Sequence, residues 1–151
     1  MLIPTHYTIV SGKGYSEYPL VAFDNALIDA GIGDYNLVKV SSILPADCQY
    51  ETHIDISRGS IVYAAYATAT VSEGQEMSLA VAVAVPSETE QSGVIFETSS
   101  LDNDAEQIVH AMCCEAMKKR RKLIGDIKSS TITISGKSGM YVCGVSAVIM
   151  W

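Results

Sequence analysis

The chain has little that would suit it to a membrane, a metal or a nucleic acid. No apolar run within its 151 residues reaches the length of a membrane-spanning helix. No basic leader followed by an apolar segment opens it, so a cytoplasmic protein with no membrane partner is expected. Basic residues are scarce: 10 Lys and Arg stand against 17 Asp and Glu, a formal net charge of −7. That balance argues against a phosphate backbone as partner and suits a cationic small molecule. Cys48, Cys113, Cys114 and Cys143 form no Cys-x-x-Cys pair, and no histidine lies at ligand spacing to them. Four reduced thiols and no metal site are expected. The tripeptide Gly136-Lys-Ser lacks the upstream glycine and following helix of a phosphate loop.

What is present is apolar and ordered. Hydrophobic residues make up 48% of the chain and charged ones 18%, which places it among globular proteins. Its length suits one domain over residues 1–151, with room for a real core. Residues 3–11 predict a first strand, and Gly12-Lys-Gly-Tyr-Ser a loop. A helix is expected over 17–30, with Ser16 as its cap, Pro19 in its first turn and Gly31 past its end. Leu20, Phe23, Leu27 and Ile28 recur at helical spacing and predict its buried stripe. Asp24 falls inside that stripe, between Leu20 and Ile28. A carboxylate there needs a partner or a cavity; a cap, a structural ion pair and a ligand contact are all open readings.

Residues 34–44 predict a second strand and 46–59 a long polar connection, with His53 at the surface. The apolar runs from Ser60 to Val71 and from Met77 to Val85 flank the turn-like Ser72-Glu-Gly-Gln-Glu and predict a hairpin of strands covered on both sides. Their alanines suggest close sheet-on-sheet packing. Val94-Ile-Phe-Glu-Thr predicts a short strand, with Ile95 and Glu97 on one face. A solvated edge carboxylate and a site acid are both readings of Glu97. A second helix is expected from Asp102 to Lys122, acidic at its start and basic at its end, as the helix dipole favours. Ala105, Ile108, Val109, Met112, Ala116 and Met117 form its stripe. The basic end reads as a solvated terminus rather than a nucleic-acid patch. A closing hairpin over 130–151 completes two loosely repeated strand–helix–strand halves. Helices outside two facing sheets would bury every stripe.

One feature resists a purely structural account. Leu37, Val38, Val40, Ile43 and Leu44 surround the pair Ser41 and Ser42, and Pro45 blocks the strand beyond. A buried hydroxyl pair at a strand end is either a set of satisfied turn hydroxyls or a site of backbone chemistry. In the second reading Ser42 attacks the carbonyl of Ser41, and the amide becomes an ester. β-Elimination then breaks the chain, and loss of ammonia leaves a pyruvoyl group. The tetrahedral oxyanion needs a placed donor, and Asn36 on the same approach carries one.

Asp24-Asn-Ala-Leu, Ala30-Gly-Ile-Gly-Asp-Tyr-Asn-Leu-Val and Val40-Ser-Ser-Ile-Leu-Pro together closely resemble the pyruvoyl-dependent arginine decarboxylases, and Gly93-Val-Ile-Phe-Glu97 fits as well. The resemblance implies a four-layer α/β/β/α sandwich of the α+β class. It implies self-cleavage into 1–41 (β chain) and 42–151 (α chain), with Ser41 as the new carboxyl end and Ser42 as the precursor of a covalent pyruvoyl group. No metal and no pyridoxal phosphate would be needed. Conversion of L-arginine to agmatine and carbon dioxide through a Schiff base follows, a step of polyamine biosynthesis. Asn36 would assist cleavage, Asp24 would pair with the guanidinium beside Leu20, and Glu97 would return the proton. A homotrimer, alone or as a dimer of trimers, is implied too. The competing readings are an uncleaved, non-catalytic interaction domain and pyruvoyl chemistry on another amino acid, such as histidine, aspartate or lysine.

Overall fold

The computed structural model describes residues 2–151. Nine strands and two helices follow one another as β1 (His6–Ser16), α1 (Pro19–Asp29), β2 (Asn36–Lys39), β3 (Ile43–Leu44), β4 (Gln49–Tyr50), β5 (Ile61–Val71), β6 (Glu76–Pro86), β7 (Gly93–Ser100), α2 (Ala105–Lys119), β8 (Ile124–Ser135) and β9 (Tyr141–Met150). They make a five-stranded sheet in the order β2-β5-β9-β1-β4 and a four-stranded sheet in the order β3-β7-β6-β8. Two helices and two sheets are what an α+β sandwich requires. Neither helix is long and apolar enough to cross a membrane.

Four groups of buried side chains separate these elements, one of them Ala67, Val71 and Val142 of the first sheet on Leu79 and Ile134 of the second. Ala22, Ala26 and Leu27 of α1 meet Val62 and Ala64 of β5 and Ala147 and Ile149 of β9. Ala105, Val109, Cys113 and Met117 of α2 meet Ala80, Ala82 and Ala84 of β6. Between them, Tyr7, Ala65, Val148 and Met150 of the first sheet pack on Val81, Val83 and Ile95 of the second. Most of the buried alanines of β5, β6 and β9 therefore face helices, not the opposite sheet. Small side chains let a helix lie close to a strand, while valine, leucine and isoleucine fill the gap between sheets. Ser11 of β1 shares hydrogen bonds with Ser130 of β8 at 2.7 Å and with Ser146 of β9 at 2.8 Å, which ties the two sheets in register.

Both expected hairpins are corrected by the pairing. β5 lies in the first sheet and β6 in the second, joined by a turn around Gly74; β8 and β9 are split in the same way around Gly139. β6 pairs with β7 and β8, and β9 pairs with β1 and β5. The sequence signature of a strand buried on both faces is the same for a hairpin and for an arch between sheets. Only the choice of hydrogen-bonding edge differs, and no side chain reports it.

The stripe of α1 is corrected as well. Ala22, Ala26 and Leu27 are its buried residues, whereas Leu20 is 78% and Ile28 61% exposed. The expected loop at Gly12–Ser16 is strand, paired with β9 throughout. The two findings share one cause. A Cβ on Gly12 would stand 2.4 Å from both the Ala26 oxygen and the Ala30 nitrogen, and one on Gly14 2.4 Å from the Ala26 nitrogen. Helix and strand touch backbone to backbone here, so the contact face must carry alanine and the larger residues turn outward. Tyr18, not Ser16, occupies the N-cap position, and Pro19 starts the helix as expected. At the other end Gly31, at φ +77°, lets Ile32 N–H donate to the Leu27 carbonyl. The stripe of α2 holds Cys113 in place of Met112, which is 37% exposed; Cys114 faces outward.

The α1 contact generates a test. Gly12→Ala places a methyl group against backbone atoms that cannot move aside singly. Overpacking of this kind costs roughly 1–3 kcal/mol, and urea titration should show a lowered midpoint. An unchanged midpoint would mean that α1 does not sit this close.

Candidate active site

Ser41 and Ser42 occupy the point where the chain leaves one sheet for the other. β2 runs parallel to β5 along the edge of the first sheet, with Lys39 beside Ala64. Val40 N–H still donates to the Ala64 carbonyl at 3.0 Å. Three residues later Ile43 is paired with Val94 on the edge of the second sheet. The serine pair is therefore a crossing, not the end of one long strand. It is also less buried than its apolar neighbours suggest: Ser41 is exposed and Ser42 half-buried.

Two backbone hydrogen bonds hold this crossing. Ile43 N–H donates to the Ser41 carbonyl at 3.0 Å, closing a three-residue turn centred on Ser42. Ile95 N–H donates to the Ser42 carbonyl at 3.0 Å and anchors the pair on β7. A donor thus already faces the oxygen that would carry charge in an attack on the Ser41 carbonyl. It is a main-chain group, which no motif advertises. A cleft of about 260 Å³ opens at Ser41, walled by Val40, Ile43, Tyr63 and Met150.

Glu97 stands two residues beyond Ile95 on the same strand, hence on the same face. Its neighbour across the ladder is Val81. Burial pushes its carboxyl above the ordinary glutamate range, while the Lys39 ammonium acts in the opposite sense. Lys39 is three residues before Ser42. Its Nζ donates to the Tyr66 carbonyl at 3.2 Å and lies 4.6 Å from the centre of the Tyr66 ring. One chain therefore ties Ser42, through Ile95, to the strand that carries Glu97, with Lys39 at the end of the strand before the serine pair. Ser42 and Glu97 were legible in the sequence. Lys39 was missed, although a lone cation in Leu37-Val-Lys-Val40 just before the serine pair was a usable signal.

The other site candidates lie elsewhere in the same chain. Asn36 opens β2, opposite Ile61, and its side-chain amide donates to the Gly59 carbonyl at 2.8 Å. Extended strand rises about 3.3 Å per residue, so Asn36 is on the order of 13 Å from Val40 and farther from Ser42. In its own chain the Asn36 amide is thus engaged with Gly59, at the end of β2 away from the crossing. Asp24 is exposed, as are Leu20 and Ile28 one turn to either side, so it is not a buried carboxylate seeking a partner. Among the described residues it makes no ion pair. The outward ridge formed by Leu20, Asp24 and Ile28 follows directly from the close approach of α1 to β1.

The sequence was compared with known proteins. Residues 6–151 match the family described as pyruvoyl-dependent arginine decarboxylase. A protein of that name from Methanococcus aeolicus is 36% identical over 98% of this chain and 90% of its own length. One from Methanopyrus kandleri is 32% identical over 100% of this chain and 99% of its own. One from Methanothermobacter thermautotrophicus reaches 43% over 72% of this chain and 70% of its own. The match starts at the first strand, runs through the crossing and Glu97, and ends at the last residue: this chain belongs to the pyruvoyl-dependent arginine decarboxylase family.

Proposed function

We propose that this chain cuts itself between Ser41 and Ser42 and then decarboxylates L-arginine to agmatine. The observation that carries the reading is the crossing itself, with its carbonyl already facing a donor and its anchor on the strand of Glu97. Ser42 Oγ attacks the Ser41 carbonyl carbon, and Ile43 N–H stabilises the oxyanion. The C–N bond breaks, leaving Ser41 esterified to Ser42 Oγ. Loss of the Ser42 α-proton then expels the Ser41 carboxylate and leaves dehydroalanine at the head of 42–151. Its imine tautomer takes up water and releases ammonia, leaving a ketone. The hydrogen bond from Ile95 keeps this new end on β7 after the chain has parted.

A pyruvoyl ketone supplies an electron sink for decarboxylation that no side chain offers. The residues around Ser42 fit such a group: the bond is accessible, its carbonyls are held, and an acid lies on the neighbouring strand. Returning a proton to the substrate α-carbon needs an acid that is still protonated near neutral pH. A solvated glutamate is ionised there. Burial of Glu97 acts in the required direction. Arginine also needs a carboxylate for its guanidinium, and planar pairing with Asp24 would provide it.

Within one chain no hydrogen bond or ion pair among the described residues joins Asp24 or Asn36 to the crossing. Tyr18, Leu20, Val21 and Ile28 on or beside α1, Val38 on the edge strand β2 and Ile61 at the start of β5 are exposed apolar residues. A closed ring of three copies would cover them and bring the ridge of one copy to the crossing of the next. One patch pair would then complete three identical sites, each with Leu20 and Asp24 from one copy and Ser42 and Glu97 from its neighbour.

Intact-mass spectrometry of an aged sample should show fragments 1–41 and 42–151, and Ser42→Ala should stay whole. A wild-type chain that remains at full-length mass would refute the reading. Asp24→Asn should cleave normally and lose arginine turnover. Mixed during refolding with Ser42→Ala, it should regain roughly a quarter of wild-type turnover, the share of sites receiving one good half from each copy. No recovery on mixing would exclude a shared site. Glu97→Gln should cleave normally and lose about 10²–10⁴ in turnover, the usual contribution of a general acid. Wild-type kcat should fall on the alkaline side, at a pH above the ordinary glutamate range. A Glu97→Gln enzyme of unchanged rate would remove Glu97 from the reaction.

A further inference from the structure

We propose that the turn Ser57–Ser60 is a positioning element of this site: it fixes the side-chain amide of Asn36 so that one N–H is held by the turn and the other is free to donate to a developing oxyanion. The inference rests on the function proposed above. Its geometric basis is independent. Ser60 N–H donates to the Ser57 carbonyl at 3.2 Å, and Gly59, third of the four residues, stands at φ +83°. Positive φ at the third position of a β-turn is the type II requirement, which glycine meets without strain. Space is not the reason for glycine here, since a Cβ would meet no atom within 4 Å. Asn36 opens β2 alongside the turn. Its main-chain N–H donates to the Ser60 carbonyl at 2.9 Å, and its side-chain amide donates to the Gly59 carbonyl at 2.8 Å. In return Gly59 N–H donates to the Asp34 carbonyl at 2.7 Å, and the Tyr35 hydroxyl donates to the Ile56 carbonyl at 3.4 Å. Main chain and side chain of one asparagine are thus gripped by two successive residues of one turn.

This grip determines which way the amide points. A carbonyl oxygen only accepts, so the group that faces Gly59 is the Asn36 NH2, which carries two hydrogens. One goes to Gly59. The second has no partner among the described residues, and Asn36 is exposed. A tetrahedral oxyanion is stabilised by donors that are already oriented when charge develops. Ile43 N–H is one such donor, and the free Asn36 N–H is a second, presented from an edge strand. The Arg58–Asp34 ion pair beside the turn, at 3.3 Å, is exposed on both partners and adds little to the grip. The turn also lies beyond the proposed break. Asn36 belongs to 1–41, and Ser57–Ser60 belongs to 42–151. After a cut at Ser41, the 4 residues of β2 would be free at one end. The turn would hold the other end, with Asn36 still in its place.

The test reads the amide first. In the full-length Ser42→Ala chain, the two side-chain N–H signals of Asn36, assigned by their loss in Asn36→Asp, should lie far apart in proton shift, one hydrogen-bonded and one not. Gly59→Val cannot keep positive φ, because β-branching excludes that region. Its two Asn36 signals should draw together. Gly59→Asn tolerates positive φ and should keep the parental pair. With Ser42 restored, Gly59→Val should slow the appearance of fragments 1–41 and 42–151 by more than about tenfold, since loss of one oxyanion donor costs about 10²–10³. Gly59→Asn should cleave like the wild type. Should Gly59→Val not fold, Gly59→Ala takes its place, since its methyl group meets no neighbour. Asn36 signals unmoved in the valine or alanine variant overturn the proposal, as does a Gly59→Asn chain that cleaves as slowly as Gly59→Val. Moved signals with cleavage at the wild-type rate sink this inference alone. A wild type that never cleaves sinks the function proposed above, and this inference with it.

Discussion

A single hydrogen bond, from Ile95 N–H to the Ser42 carbonyl, joins the two sheets at the place where the chain passes between them. Around it the local structure has little freedom. β2 is bound to β5 up to Val40, and β3 is bound to β7 from Ile43. Only two residues span the interval, so the turn they make is dictated from both ends. Backbone strain is not required for this. It is enough that each flank belongs to a different sheet and that the sheets are fixed by the apolar layer between them. The same bond sets the distance from the crossing to Glu97, since strand spacing is not adjustable.

The packing of α1 is the second constraint, and it explains where the acidic ridge points. Gly12 and Gly14 admit the helix to backbone contact at Asn25, Ala26 and Ala30. Of the larger apolar side chains on the helix, Leu27 is buried and Phe23 packs partly buried beside it, while Leu20, Val21 and Ile28 are exposed. Leu20, Asp24 and Ile28 are exposed because the other side of the helix is full. An exposed leucine–aspartate–isoleucine row costs solubility in a single chain, and the ring of three copies proposed above would cover it.

Much of this was legible in the sequence. Element types and most boundaries follow from periodicity and punctuation: Pro19 and Gly31 bracket α1, and the alternation of Val94 to Glu97 sets β7. The serine pair, Glu97 and the family's motifs identify the candidate site. Three things were hidden, for definite reasons. Strand partners cannot be read from runs that are apolar on both faces, so two arches looked like hairpins. The helix face could not be read by hydrophobicity, because glycines on the partner strand reverse the usual preference for bulk at a contact. The donors at the crossing are main-chain groups, which composition never shows.

The place of β1 in the first sheet has a further consequence. It lies between β9 and β4, paired with β9 from Tyr7–Met150 to Ser16–Tyr141. A break after Ser41 would separate β1, α1 and β2 from the rest of the chain covalently but not physically. The two pieces would form a heterodimer sharing one hydrophobic core, and the smaller could leave only by opening the first sheet. Its unfolding would change from a unimolecular to a dissociative reaction, with a midpoint that depends on protein concentration. Such a molecule would gain chain entropy on denaturation that the intact precursor cannot, and its persistence would rest on the slowness with which the interdigitated sheet comes apart.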